Sequence, residues 1–261
     1  MIFDQTNLPS RTLPYPVKQI EVNPFKPKQL ALMSKAVMLD DFGPAIEAMG
    51  QSMTNLDVNQ LTAGDFFYLL TWQRLNSLKR NPVMAKWECP GTIFADRSTG
   101  VRYTPREVKV LVANWEAADE ETRKTMLDPA AVMLDGYVCS HGNYQPLVME
   151  DFRILFLEED IVLDTRLDYP RCDTLAQFVN LQRDPDYGML AESGQWLRSR
   201  KPLLLRVQEM VDAEDTDLLE AACEANRDYQ HGILRTISKP CEVCGHNHEM
   251  TMTVSPKSFF L

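Results

Sequence analysis

The stretch Cys241-Glu242-Val243-Cys244-Gly245-His246-Asn247-His248 decides how this chain closes on itself. Two cysteines separated by two residues, with glycine next, form a tight turn that aims both sulfurs at one point. Tetrahedral zinc takes four such donors, so one knuckle supplies half a site. A redox pair of the thioredoxin kind would instead open a helix behind a buried strand, where the helix dipole lowers the thiol pKa. Here Pro240 precedes the pair, and glycine, asparagine and two histidines follow it, which is turn chemistry. The stretch therefore predicts a metal knuckle at the tip of a hairpin. Its strands are 233–237 and 250–254, where Met250, Met252 and Val254 alternate with threonines.

The other donors are Cys89, Cys139, Cys172, Cys223, His141, His231, His246 and His248. Cys223 shares an apolar stripe with Leu218, Leu219 and Ala222 and reads as an inert core thiol. Cys172 opens a helix between Arg171 and Asp173 and fits either role. Cys89 ends a strand at Pro90-Gly91, and Cys139 ends another just before His141-Gly142-Asn143. Both are turn-borne, as metal ligands tend to be. The expected site is a structural zinc held by Cys89, Cys139, Cys241 and Cys244, with His141 or His246 able to replace one thiolate.

Composition narrows the partners. The chain has 261 residues, 44% hydrophobic and 25% charged, with a formal net charge of −10. That acidity argues against a nucleic-acid partner, whose binding draws on clustered Lys and Arg releasing counterions. The densest basic run, Arg198-Ser199-Arg200-Lys201, reads as a solvated helix end. No run approaches the roughly 18 consecutive apolar residues that span a bilayer, so no membrane role is expected. Met1-Ile2-Phe3-Asp4-Gln5 lacks the basic flank of a secretory signal. Six cysteines then read as reduced thiols or metal ligands, and the place of synthesis as the cytosol.

Periodicity predicts an α+β chain: a mostly helical core with short antiparallel strands, an extended N-terminal arm and a C-terminal zinc-knuckle-like β-hairpin. Pro9, Pro14, Pro16, Pro24 and Pro27 keep residues 1–26 extended around a strand whose Ile20 and Val22 share a face. Leu30, Met33, Val37 and Met38 mark a helix, and 44–52 another. Thr62-Ala63-Gly64-Asp65 caps the clearest helix, apolar on most of its circumference through Phe66, Phe67, Leu69, Leu70, Trp72 and Leu75. A strand follows Pro82, and 104–134 return to helix with Pro105 at its first turn. Short strands are expected near 137–138, 147–148, 154–156 and 161–163, and helices at 173–183, 187–199, 203–212 and 216–228. The pattern itself shows no clean domain boundary, and the chain is taken as 1–26 (arm and strand), 27–90 (first part of the helical core), 91–138 and 139–261 (second part, with the knuckle hairpin).

Catalytic motifs are missing from the sequence. There is no His-Glu-x-x-His, no His-x-Glu to accompany Pro-Cys-x-x-Cys, no Gly-x-Ser-x-Gly and no phosphate-binding glycine loop. Acidic runs such as Glu158-Glu159-Asp160 read as solvated faces. No catalysis is expected.

The order of several phrases resembles one family. Leu8-Pro9-Ser10, Tyr15-Pro16 and Glu21-Val22-Asn23-Pro24 come first, followed by 61–70 (LTAGDFFYLL) and Arg74. Trp87 with Cys89, Leu167-Asp168-Tyr169-Pro170, the Cys241/Cys244 knuckle and Phe259-Phe260 complete the series. These resemble the baseplate-hub subunit and hub-assembly proteins of contractile-tailed bacteriophages related to the T-even phages. The resemblance implies a non-enzymatic hub component or assembly chaperone. Its partners would be hub and tape-measure proteins, and its location the host cytoplasm during assembly or the virion tail baseplate. It also implies two knuckles. Only the second is intact here, so residues 91–138 are read as an insertion that displaces the partner of Cys89 to Cys139. The stiff arm would dock on a neighbour. Two alternatives stand beside this: a zinc-binding adaptor acting on a partner by contact, and a metal-dependent hydrolase using His141 or His246 with a carboxylate.

Overall fold

Four prolines before Pro27, which opens the first helix, keep residues 8–26 out of α-helix, but that segment is packed into the core. The computed structural model describes residues 1–11, 13–77, 84–96, 99–130, 137–139, 141–159 and 161–251. In chain order its elements are β1 (Ile2–Asp4), β2 (Gln19–Glu21), α1 (Pro27–Leu39), α2 (Gly43–Ser52) and α3 (Ala63–Ser77). Next come β3 (Met84–Glu88), β4 (Thr92–Ala95), β5 (Arg102–Tyr103), α4 (Pro105–Ala117), α5 (Glu120–Arg123), β6 (Tyr137–Val138) and β7 (Gly142–Pro146). The last are β8 (Phe152–Leu155), α6 (Cys172–Leu181), α7 (Ala191–Gly194), α8 (Leu203–Asp212), α9 (Thr216–Asp228), β9 (Gly232–Pro240) and β10 (Asn247–Thr251). Helices and short antiparallel strands mix as in an α+β chain.

Two compact units emerge. One holds Met1–Val83 and Val148–Arg235, and the other holds Met84–Leu147 and Thr236–Thr251. The family resemblance implied an inserted segment at 91–138. The compact unit starts seven residues earlier, ends nine later, and takes in the knuckle hairpin as well.

In the first unit, β1 pairs antiparallel with β2, Phe3 opposite Ile20. The extended arm expected to dock on a neighbour is instead folded into this unit. Leu8, Ile20 and Val22 are fully buried, with Phe3 and Phe25 nearly so, in one cluster with Phe42, Leu61, Phe66, Leu69 and Leu70. The Phe3 ring meets Trp72 edge-on at 5.1 Å. A polar clasp fixes the same segment. Asp65, fully buried in the first turn of α3, accepts from the Ser10 amide at 3.0 Å and from the Tyr15 hydroxyl at 2.5 Å. The Thr62 amide donates to the Tyr15 oxygen at 3.1 Å. Burial, reinforced by the Asp65 carboxylate, holds the Tyr15 phenol far above its ordinary pKa, so it stays a donor.

Thr62 is the N-cap the sequence predicts, its hydroxyl accepting from the Asp65 amide at 3.2 Å. The same hydroxyl lies 2.8 Å from Nε2 of His231. Backbone meets backbone at this corner. A Cβ on Gly64 would stand 2.4 Å from the His231 carbonyl oxygen, which cannot swing aside. Gly64→Ala is expected to lower stability by about 1–3 kcal/mol through forced backbone shifts, read from the denaturant midpoint.

Other expectations shift locally. Met38 is 82% exposed, so the buried stripe of α1 runs through Met33 and Ala36 instead. The 104–134 helix breaks at Ala118, where Asp119 recaps the chain by accepting from the Thr122 amide at 2.7 Å. Its end beyond 130 lies outside the described residues, as do Pro82-Val83, Met252–254 and Phe259-Phe260. The helix expected over 187–199 gives only a short turn at Gly188–Leu190 and the four residues of α7. The chain leaves helix there so that Leu197 can bridge Leu167, burying Trp196 and Leu197 against Tyr169. Residues 147–148 and 161–163 are not strands.

Candidate metal centre

Three turns build the site, each set by a strand pair of the second unit. β3 lies antiparallel to β7, Glu88 opposite Gly142, so Cys89 leaves the strand beside His141 and donates its amide to the His141 carbonyl at 3.2 Å. β4 pairs with β6, Thr92 opposite Val138, which brings Cys139 beside Gly91 and lets the Cys139 amide donate to the Gly91 carbonyl at 2.7 Å. β9 and β10 pair from Thr236/Thr251 to Pro240/Asn247. The tip of that hairpin is the knuckle. The Cys241 amide donates to the His246 carbonyl at 2.7 Å, and the Gly245 amide to the Cys241 carbonyl at 2.9 Å. Gly245 sits at φ +71°, a left-handed turn that glycine takes without a Cβ clash.

The sulfurs of Cys89, Cys139, Cys241 and Cys244 all lie within 4.8 Å of one another. Cys89 and Cys244 are 3.3 Å apart, Cys139 and Cys241 4.0 Å. Zinc–sulfur bonds of about 2.3 Å at tetrahedral angles set sulfurs about 3.8 Å apart, the middle of this range. Cys89, Cys241 and Cys244 are buried and Cys139 is half-buried. Together with Ile93 they form one hydrophobic cluster of this unit.

Gly91 closes the arrangement. Its amide donates to the Cys89 sulfur at 3.3 Å, the kind of second hydrogen bond that orients a thiolate ligand. A Cβ at position 91 would stand 2.5 Å from the Cys244 sulfur and 2.6 Å from Cβ of His246. Gly91→Ala is therefore expected to weaken metal binding about 10–100-fold, the usual cost of disturbing a ligand's orienting partners, as read by competition with a chromogenic chelator. Nothing in the composition singled this glycine out, although its place two residues after Cys89 is a signal that sequence reasoning can use.

Electrostatics set the chemistry. Burial pushes the Cys89 thiol far up, helped by its contact with Cys244, and burial also raises Cys139. At Cys241 burial acts upward too, but the backbone amides of Cys244 and Val243, together with the neighbouring Cys89 and Cys244 thiols, outweigh it and the thiol shifts down. Four clustered thiols cannot all ionise without a cation to balance them, and a bound divalent metal ionises its thiol ligands outright.

Among the described residues, the metal-capable group contains these four cysteines and neither reserve histidine. His141 and His246 lend their carbonyls to the turns, and the His246 ring packs edge-on against His248 at 5.3 Å. Cys172 is fully buried at the start of α6, where burial holds its thiol well up. Cys223 is exposed, which corrects its reading as a core thiol. The buried face of α9 is carried by Ala222 and Ala225, leaving Cys223 to face the Ser193 hydroxyl at 3.2 Å.

Among the described residues, no helix is long and apolar enough to cross a membrane. Comparison of the chain with protein-family models, curated proteins and solved structures gives no match.

Proposed function

We propose that the second unit is a zinc-clasped module, and that the chain is a non-enzymatic structural or assembly protein of a contractile phage tail baseplate. The observation that carries the clasp is the convergence of four sulfurs from three separate turns. A closed all-thiolate sphere leaves no position for a substrate and is the mark of a structural site rather than a catalytic one. The metal fastens an internal segment, 84–147, to the hairpin 236–251. Such a clasp holds a surface rigid, which suits a part that must be recognised by neighbours.

The baseplate setting rests on the resemblance of the sequence phrases. Docking through a loose N-terminal arm has no place in this proposal, since Phe3 and Leu8 belong to the core. Two measurements test it. Metal analysis of the full chain at neutral pH is expected to give one zinc per chain. That occupancy should fall on acidification, because protons compete with the metal for thiolate. Co-expression with hub and tape-measure proteins is expected to give complexes stable through size exclusion. A metal-free chain would remove the clasp, and a chain that ignores tail proteins would remove the baseplate role.

A further inference from the structure

The four sulfurs are not equally reachable. Cys89, Cys241 and Cys244 are 1–3% exposed, whereas Cys139 is half-buried and follows Val138, itself 60% exposed. The Cys139 sulfur lies 4.0 Å from that of Cys241. Cys89 and Cys244 stand closer to each other, at 3.3 Å, but both are sealed from solvent.

We infer that this cluster is a peroxide-operated release: a hydroperoxide oxidises Cys139, Cys241 resolves it as a disulfide, and the metal departs. The inference rests on the zinc reading above. The Cys139 thiolate attacks one oxygen of hydrogen peroxide, the O–O bond breaks, and hydroxide leaves, giving a sulfenic acid. The Cys241 thiolate then attacks that sulfur; the S–S bond forms, the S–O bond breaks, and a second hydroxide leaves. The two sulfurs are oxidised by two electrons in all, and the peroxide is reduced to two hydroxides, which become water at neutral pH. Zinc keeps only Cys89 and Cys244, half of its sphere, and dissociates. A dithiol reductant restores both thiols and rebinding. The outcome is a clasp that holds in a reducing cytosol and opens on oxidation.

The test uses the full chain carrying Cys223→Ser, which removes the exposed thiol outside the cluster. Zinc is counted first. A chain holding no metal overturns the zinc reading and this inference with it, before any oxidant is added. Zinc release into a chromogenic chelator is then followed after addition of hydrogen peroxide, and linked peptides are mapped by mass spectrometry without reduction. The expected first product is the Cys139–Cys241 link, formed at the rate of zinc release and reversed by dithiothreitol. Cys139→His, which keeps a fourth ligand but removes the reachable thiol, should release zinc at least about tenfold more slowly. A first link that omits Cys139, or release at the parental rate from a zinc-loaded Cys139→His chain, overturns the inference while leaving the metal site standing. If that variant binds no zinc, the peptide map of the parent chain decides alone.

Discussion

Removing zinc with a strong chelator is expected to unfold the second unit and leave the first folded. The buried apolar side chains among the described residues of that unit are Ile93, Val108, Leu147 and Ile237, together with the cysteines of the cluster. So small an apolar cluster falls well short of the cost of ordering some eighty residues, which at about 1–2 kcal/mol each for the backbone far exceeds any burial it provides. On the proposed zinc reading the balance comes from the metal, whose apparent binding to structural four-ligand sites is about 10–16 kcal/mol at neutral pH. Hydrogen exchange reads the result directly. Amides of β3, β4, β7, β9 beyond Arg235 and β10 should lose protection, while those of α3 and α6 keep it. Cys244→Ser should produce the same pattern without a chelator. Protection that survives both treatments would mean that these sulfurs pack as an ordinary apolar core.

Deleting residues 1–16 is expected to abolish the folded first unit. Phe3 and Leu8 leave the main cluster, and truncating one such buried leucine to alanine alone costs about 2–5 kcal/mol. The deletion also strips Asp65 of the Ser10 amide and the Tyr15 hydroxyl. A buried charge deprived of its partners costs about 3–5 kcal/mol more. Together with the lost β1–β2 pairing, this consumes most of the about 5–15 kcal/mol that holds a domain folded. Tyr15→Phe is the graded control, expected to cost about 1–3 kcal/mol by leaving the Asp65 oxygen short of one donor. Thermal melts followed by circular dichroism compare the two. A truncated chain that melts at the parental temperature would show that the N-terminal segment contributes nothing to the core.

Much of this was legible in the residues, and the failures have physical causes. The Thr62 cap, the shared face of Ile20 and Val22 and the helices 203–212 and 216–228 are local features, and local chemistry specifies them. The four cysteines chosen from their turn settings are the four whose sulfurs converge, because a strand ending in Cys-Pro-Gly or Cys-x-x-Cys-Gly dictates where the sulfur points. The N-terminal segment misled because proline fixes conformation and removes donors but says nothing about what the extended chain lies against. Asp65 misled similarly. Three residues after Thr62 it reads as the acidic partner of that cap, and only the fold brings Ser10 and Tyr15, 55 and 50 sequence positions away, onto it. Cys223 was assigned by stripe membership, and one residue of rotation on α9 put it outside.

The spacing of the four cysteines governs when their sulfurs can meet. Cys89 and Cys244 are 155 positions apart, and Cys139 lies 102 before Cys241. At a translation speed of about 5–20 residues per second, Cys89 and Cys139 wait about 5–30 seconds on the ribosome for their late partners, with reactive sulfurs uncovered. Until the late hairpin emerges, nascent chains are open to premature metal capture, wrong pairing and chaperone binding. Closure of the knuckle thus waits on the hairpin, and a cell could by it distinguish a chain that has passed residue 248 from one stalled before it.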